Sequence, residues 1–250
     1  MRVAPSGWHL PAFTPGQFAV LGLPGSAPRH PLADAVEDPL PEADKLIRRS
    51  YSIASGSVER DELEFFVTMV RSGALTPRLF ALGVGDPLWL GPKITGSFTL
   101  DEVPAGQDLV LVATGTGLAP YMSMLRSGLL HGPPRKTAVL LGARHSWDLG
   151  YREELEVLAR AFDAFTFHPT VSRPGEEPLP WTGHTGYVQD LWTRGVVAEA
   201  WGSRPSSDTC HFLLCGNPAM IEDMTKLLTE EGFREHKKRE PGQIHAEKYW

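Results

Sequence analysis

The chain has 250 residues, 42% of them hydrophobic and 22% charged, with a formal net charge of −6. That apolar fraction supports packed cores and excludes a disordered chain, while the length suits one large domain or two ordinary ones. No run reaches the ~18–20 apolar residues of a membrane span, no basic-then-apolar segment opens the chain, and no long basic run suggests nucleic acid. A cytoplasmic protein with neither membrane nor nucleic acid as partner is expected. Cys210 and Cys215 share one apolar run, which leaves no disulfide framework and too few thiolates for an iron–sulfur cluster. No metal site is read, so redox chemistry would need a bound organic cofactor.

The first hundred residues predict short strands at 16–23, 49–55, 63–70, 86–92 and 96–100, broken by Gly and Pro at the intervals of an antiparallel barrel or sandwich. Residues 24–45, rich in Pro and acid and without periodicity, predict a long, mobile surface loop. One stretch, "RRSYSIASG" (48–56), alternates like a half-buried strand but carries two arginines at its head. A single helical turn is expected at "LTPRLFAL", with Thr76 as N-cap and Pro77 in the first helical position.

After Gly106 the rhythm changes to strand–helix alternation, beginning with "DLVLVATG" and ending with "CHFLLCG" and "PAMIEDMTKLLTEEG". Such alternation predicts a parallel sheet with helices on both faces. The parse is two domains, 1–104 and 105–250, joined near Val103–Gly106.

The turn "ATGTGLAP" (113–120) lies between the first strand and first helix of the second domain. Gly115 and Gly117 would let backbone N–H groups approach a pyrophosphate, helped by the helix N-terminus. The usual third glycine is absent, and Pro120 stands where the helix begins; a purely structural Gly-rich turn is the alternative. The next strand ends in Arg144 rather than in an acid, and Arg173 follows the strand after that. Arginines there favour a ribose 2′-phosphate and hence NADP over NAD, unless both are solvated loop residues. Asp148 is expected to cap the helix that starts around Tyr151. Cys215 ends the last strand at the ligand-binding edge of the sheet, and Gly216 permits close backbone approach; a buried, inert thiol is the plainer alternative for Cys215 and the only role given to Cys210.

"RSYS", "GTGLAP" and "CGNPAMI", in this order, resemble the ferredoxin–NADP⁺ reductase family of flavoproteins. "GALTPRL" (73–79) and the ending "AEKYW" are similar to its bacterial branch of ferredoxin and flavodoxin reductases. The resemblance covers nearly the whole chain and implies an antiparallel FAD-binding barrel followed by an NADP(H)-binding α/β domain. It implies that Arg49 neutralises the FAD pyrophosphate, that Tyr51 stacks on the isoalloxazine, and that Ser52 bonds near the hydride-accepting N5. Gly73, Leu75 and Thr76, with the short helix after them, would present N–H donors to the same pyrophosphate. Val67, Thr68 and Met69 would contact the ribityl chain or adenosine, with plain strand core as the alternative.

On the nucleotide side the resemblance places Gly115, Thr116, Gly117 and Gly216 around NADP(H), with Thr116 under the nicotinamide or pyrophosphate and also close to FAD. Cys215 would line the hydride-transfer position, Glu247 would stand near the nicotinamide, with a solvated tail residue as the alternative, and Arg144 and Arg173 would hold the 2′-phosphate. Tyr249 and Trp250 would cover the flavin ring and stack on adenine. Three features depart from the family. The first barrel strand is expected to be largely missing, the 24–45 loop is longer than usual, and His184 replaces a further arginine of the phosphate grip.

The implied reaction is hydride transfer from NADPH to FAD, then single-electron transfer to a transient acidic carrier, ferredoxin or flavodoxin, by a monomeric enzyme. Arg48, Lys93 and "HKKR" (236–239) are candidates for steering that carrier, or simply a solvated basic face. The rivals are a reductase serving an oxygenase or other acceptor, and a non-catalytic flavin-binding electron-transfer or regulatory subunit.

Overall fold

The computed structural model describes residues 1–35 and 37–247. Its first half is antiparallel: β1 (Arg2–Val3), β2 (Phe18–Pro24), β3 (Leu46–Ser52), β4 (Leu63–Glu64), the short helix α1 (Thr76–Leu79) and β5 (Trp89–Leu90). β3, β2 and β5 form one sheet and β1 and β4 another. Single bridges, Ile53 to Phe65 and Phe18 to Thr95, carry the pairing onward. Alternation turns Ala19 and Leu21 of β2 inward against Ile53, Leu63 and Phe65.

The second half alternates β6 (Asp108–Thr114), α2 (Ala119–Arg126), β7 (Thr137–Ala143), α3 (Arg152–Ala161), β8 (Phe165–Val171), β9 (His184–Thr185), α4 (Val188–Thr193), α5 (Val196–Trp201), β10 (Cys210–Cys215), α6 (Pro218–Glu230) and β11 (Ile244–Glu247). One six-stranded parallel sheet results, in the order β11-β10-β6-β7-β8-β9. Odd residues of β6 (Leu109, Leu111, Ala113) face one apolar layer with α2 and α3. The even ones (Val110, Val112) face another with α4 and α6. Burial on both faces is why these strands read as continuous apolar runs. The chain runs outward from β6 through β9 and then crosses to β10 on the other side of β6. Such a reversal of strand order opens a crevice at the carboxyl ends of β6 and β10.

The barrel strands are shorter than their sequence patterns. The 63–70 run pairs only as far as Phe65, after which Val70 N–H donates to Thr76 Oγ1 at 2.9 Å instead of to a strand. Prolines at 87 and 92 confine the 86–92 run to Trp89–Leu90, since proline cannot donate to a ladder. The 96–100 run is no strand: Gly96, at φ +132°, leads the chain out of the sheet after the Thr95 bridge. The first strand, expected to be largely missing, is the two-residue β1; Met1 donates its amino group to the Phe65 carbonyl at 2.8 Å.

Two caps also differ from expectation. Thr76 is the first residue of α1 and caps nothing; its hydroxyl closes the 70–76 turn by binding both N–H and C=O of Val70. Asp148 does not cap α3, whose N-cap is Tyr151 in a left-handed conformation at φ +56°. The Asp148 carboxylate pairs with His145 instead, 3.3 Å away.

Candidate functional site

The crevice between β6 and β10 is built from two glycine turns that need each other. A Cβ on Gly117 would collide with the Cys215 carbonyl, and one on Gly216, at φ +136°, would collide with Thr114. Thr114 Oγ1 accepts the Asn217 N–H at 2.8 Å, and Asn217 Oδ1 in turn accepts the Ala219 N–H and caps α6. Gly115 takes the left-handed φ of +53° with nothing near its missing Cβ, leaving that side of the turn open to a ligand backbone contact. Pro120 lies in the first turn of α2, where its missing N–H costs no helical bond. Deeper in, the buried Tyr121 hydroxyl donates to the Leu213 carbonyl at 2.6 Å and lies 3.1 Å from that of Val112, tying the two strands together. Sequence patterns passed over Thr114 and Tyr121, because their partners lie far along the chain.

β11 brings the C-terminal residues to this crevice. Its parallel register sets Glu247 beside Cys215, which faces Ala113 on its other side. Cys215 is fully buried, and burial, then the Glu247 charge, pushes its thiol well above the usual range. It is therefore a neutral, compact wall of the crevice and no thiolate nucleophile. Burial likewise raises the Cys210 thiol. Tyr249 and Trp250 lie outside the described residues.

At the β7–β8 edge, Arg173 N–H donates to the Arg144 carbonyl at 3.0 Å, so the two arginines share one edge as expected. Arg144 is exposed and Arg173 pairs loosely with Glu176 at 3.5 Å. His145 is a third basic group here: its Nε2 lies 2.7 Å from Glu176 and its ring stacks on the exposed Trp147, with centroids 4.3 Å apart. Glu176 raises the His145 pKa, burial opposes it, and Asp148 adds a smaller rise. Glu177 takes Ser146 N–H and Oγ at 2.7 Å each, joining the two arginine loops. His184, which replaces the expected arginine, sits farther back, in register with Thr170 and 6.3 Å from the His168 ring. Burial, then His184, drives His168 down to about 4.

On the antiparallel side Arg49 and Tyr51 share one face of β3 by alternation, and Ser52 is buried at the strand end. Tyr51 packs with Val67, Ala74, Leu75 and Leu79 in one apolar cluster, which unites β3, the 67–69 segment and α1. Burial, opposed by the nearby Arg49 charge, pushes the Tyr51 hydroxyl to about 12. Arg49 is exposed, with Nη1 donating to the Arg48 carbonyl at 2.8 Å. Residues 67–69 join no strand. Among the described residues the N–H groups of Ala74, Leu75 and Thr76 donate to no protein acceptor. These open donors, on the segment that packs against Tyr51, and the exposed guanidinium of Arg49 on the same face of β3 are groups that can hold an anion. Arg48 stands over the Trp89 ring at 5.8 Å, on the alternate face of the strand.

A family described as an oxidoreductase NAD-binding domain matches residues 111–226. The flavodoxin/ferredoxin–NADP reductase of Escherichia coli is 32% identical over 246 residues, covering 97% of this chain and 90% of its own. The chain belongs to the flavodoxin/ferredoxin–NADP reductase family. Ferredoxin–NADP reductase B of Sorangium cellulosum is 36% identical over 215 residues, covering 84% of this chain and 81% of its own. In fold, this reductase matches a ferredoxin–NADP⁺ reductase from Neisseria gonorrhoeae solved with FAD and NADP, at a TM-score of 0.79 and 24% identity over 98% of this chain and 90% of that one. An Amycolatopsis cytochrome P450 reductase matches at a TM-score of 0.70 and 29% identity, over 95% of this chain and 61% of that one.

In this reductase the antiparallel half meets the parallel half through Arg126 of α2. Its guanidinium binds Glu64 of β4 at 2.9 Å, Glu154 of α3 at 2.7 Å and the Ala54 carbonyl at 3.0 Å, and it lies 4.9 Å from the Tyr151 ring centre. The Tyr151 hydroxyl donates to Glu64 at 2.7 Å, and its ring meets Phe66 edge-on, next to the 67–69 segment. Burial works to raise the Glu64 carboxyl, but Arg126, Tyr151 and Arg2 together hold it at about 2.

Proposed function

We propose that this reductase moves hydride from NADPH to FAD and single electrons onward to ferredoxin or flavodoxin, with residues 1–104 holding FAD and 105–250 holding NADP(H). The observation that carries this is the convergence of Cys215, Glu247 and the Gly115–Gly117 turn on the crevice at the strand-order reversal. The residues fit both groups. Gly115, left-handed and with open space at its missing Cβ, permits the close backbone approach that a pyrophosphate requires, and the 74–76 amides with Arg49 suit the flavin phosphates.

Bound FAD supplies acceptance of hydride at N5 and its release as single electrons. The chain supplies the rest. Arg49 and the 74–76 amides neutralise and orient the pyrophosphate, and Tyr51 gives the ring an apolar face. Ser52 offers a hydrogen bond at N5. The neutral Cys215 side chain shapes the place where the nicotinamide meets the flavin without competing as a nucleophile, while Glu247 beside it orients the carboxamide. Arg144 and Arg173, joined through their backbones, bind the 2′-phosphate, with Trp147 and His145 beside them.

The acceptor is taken to be an acidic carrier because exposed basic residues, Arg48, Lys93 and 237–239, offer local patches despite the net charge. Among the described residues no helix is long and apolar enough to cross a membrane. Anaerobic absorbance before and after NADPH tests the proposal: a yellow protein that bleaches with NADPH and re-oxidises with ferredoxin or flavodoxin supports it. A chain that takes up no FAD, or a flavin that NADPH leaves oxidised, sinks it. The likeness to the Amycolatopsis P450 reductase favours one second reading, service to an oxygenase. Faster re-oxidation by such a partner than by either carrier would establish that reading instead.

A further inference from the structure

The acidic 25–45 loop has no part in the chemistry above, yet it is not a free surface loop. Its Glu37 carboxylate lies 7% exposed against Arg78 of α1, whose side chain is 3% exposed. Arg78 grips that carboxylate through both terminal nitrogens, at 2.7 and 2.9 Å, and donates at 2.6 Å each to the carbonyls of Ala74 and Gly25. Arg29 of the loop lies with Nε 3.9 Å from the same carboxylate and donates to the carbonyls of Asp34 and Arg71 at 2.9 and 3.1 Å. His30 N–H meets the Pro77 carbonyl, and Asp34 N–H that of Arg71. The loop thus holds both ends of segment 71–78. The Arg78 bond outweighs burial and holds the Glu37 carboxyl below its ordinary range, so the pair is ionised at neutral pH.

A buried ion pair gains little net stability over apolar packing, because both charges lose their water. Its geometry offers a better account. Carbonyl and N–H of one trans peptide point in opposite directions, so a grip on the Ala74 carbonyl fixes the heading of the Leu75 N–H. That N–H belongs to the 74–76 set without an acceptor. We propose that the 25–45 loop is a clasp on the flavin-phosphate turn, and that Glu37 is a positioning residue for FAD, acting through Arg78 and the Ala74–Leu75 peptide. This inference rests on the flavin assignment above.

The test measures FAD release from the holoenzyme by flavin fluorescence, and amide hydrogen exchange of peptides covering 70–80, 108–114 and 210–215. In Glu37→Gln, FAD release should quicken by about tenfold or more, because a buried guanidinium loses its counter-charge. Exchange should rise in 70–80 alone, and Glu37→Asp should restore part of both. If Glu37→Gln does not fold, the paired variant Glu37→Leu/Arg78→Met removes both charges of the bidentate pair and leaves Arg29 on the Asp34 and Arg71 carbonyls, and it should fold yet still release FAD faster than wild type. Release no faster than wild type in the paired variant, where the Ala74 carbonyl has lost its grip, overturns the clasp. So does exchange that rises equally in all three peptides. A wild-type chain that binds no FAD would instead refute the flavin assignment.

Discussion

Every residue of β10, from Cys210 to Cys215, is buried, whereas Arg48, Arg49 and Ser50 of β3 are exposed on a strand of similar length. The parallel half is closed by apolar layers on both faces of its sheet. The antiparallel half has strands as short as two residues and is secured by arginine–carboxylate contacts, Arg126 to Glu64 and Arg78 to Glu37. The contrast has a functional sense. A flavin site needs an open strand face and unpaired backbone donors, which a sheet covered on both sides cannot offer, so directional polar contacts stand in for packing there.

The largest expected effect would break this contrast if it failed. Leu213→Ala, in the fully buried β10, should cost about 3 kcal/mol in urea unfolding. Ile47→Ala, in β3 at 9% exposure, should cost clearly less; equal losses would show that both halves depend on packing alike. Next, Arg49→Ala should weaken FAD binding through loss of a charge-assisted bond of about 1.5–3 kcal/mol, while the melting of the apoprotein stays put. Unaltered flavin affinity in a fluorescence titration would remove Arg49 from the site.

Glu64→Gln should destabilise the junction of the halves by about 1–2 kcal/mol, less than a fully buried pair because Arg126 keeps Glu154. Acid should act in the same way. The folded Glu64 pKa of about 2 lies below its ordinary 4.5, so its contribution is complete above that ordinary value and fades as pH falls toward 2. Contact between the halves, followed by hydrogen exchange around 64–66, should loosen in that window in wild type and lose this dependence in Glu64→Gln.

Smaller effects sharpen the nucleotide edge. Arg144→Ala should raise KM for NADPH about tenfold, near 1.4 kcal/mol, and leave NADH little changed; parallel changes would mean that Arg144 does not sense the 2′-phosphate. The smallest is a pH effect. Glu176 raises the His145 pKa, so its positive charge is fully present below the ordinary histidine range and persists somewhat above it before being lost as pH rises. NADPH affinity should decline gently across that rise, and His145→Gln should flatten the profile, whereas His184→Gln should leave it unchanged.

Local signals were enough for some of this and not for the rest. Arg144 and Arg173 were legible because each follows a strand of the strand–helix alternation, and parallel strands deliver their ends to one edge. Gly117 and Gly216 were legible as turns, but the lock between them was not, since Thr114 and Asn217 are 103 residues apart. His145 carries no local signal because its partner Glu176 comes 31 residues later, and His184 is marked by family position alone. Thr76 and Asp148 had the chemistry of helix caps, but nearer partners, Val70 and His145, took their side chains.

Periodicity and turn chemistry by themselves determined the change from antiparallel to parallel architecture, the nucleotide turn and the strand that carries Arg49 and Tyr51, because these rest on contacts within a few residues. Only the tertiary structure decided that Glu247 stands beside Cys215, that Glu64 joins the halves through Arg126, and that the acidic loop closes on Arg78. Each of those depends on which segments the folded sheets bring side by side, and hydrophobic pattern carries no information about the partner of a charge.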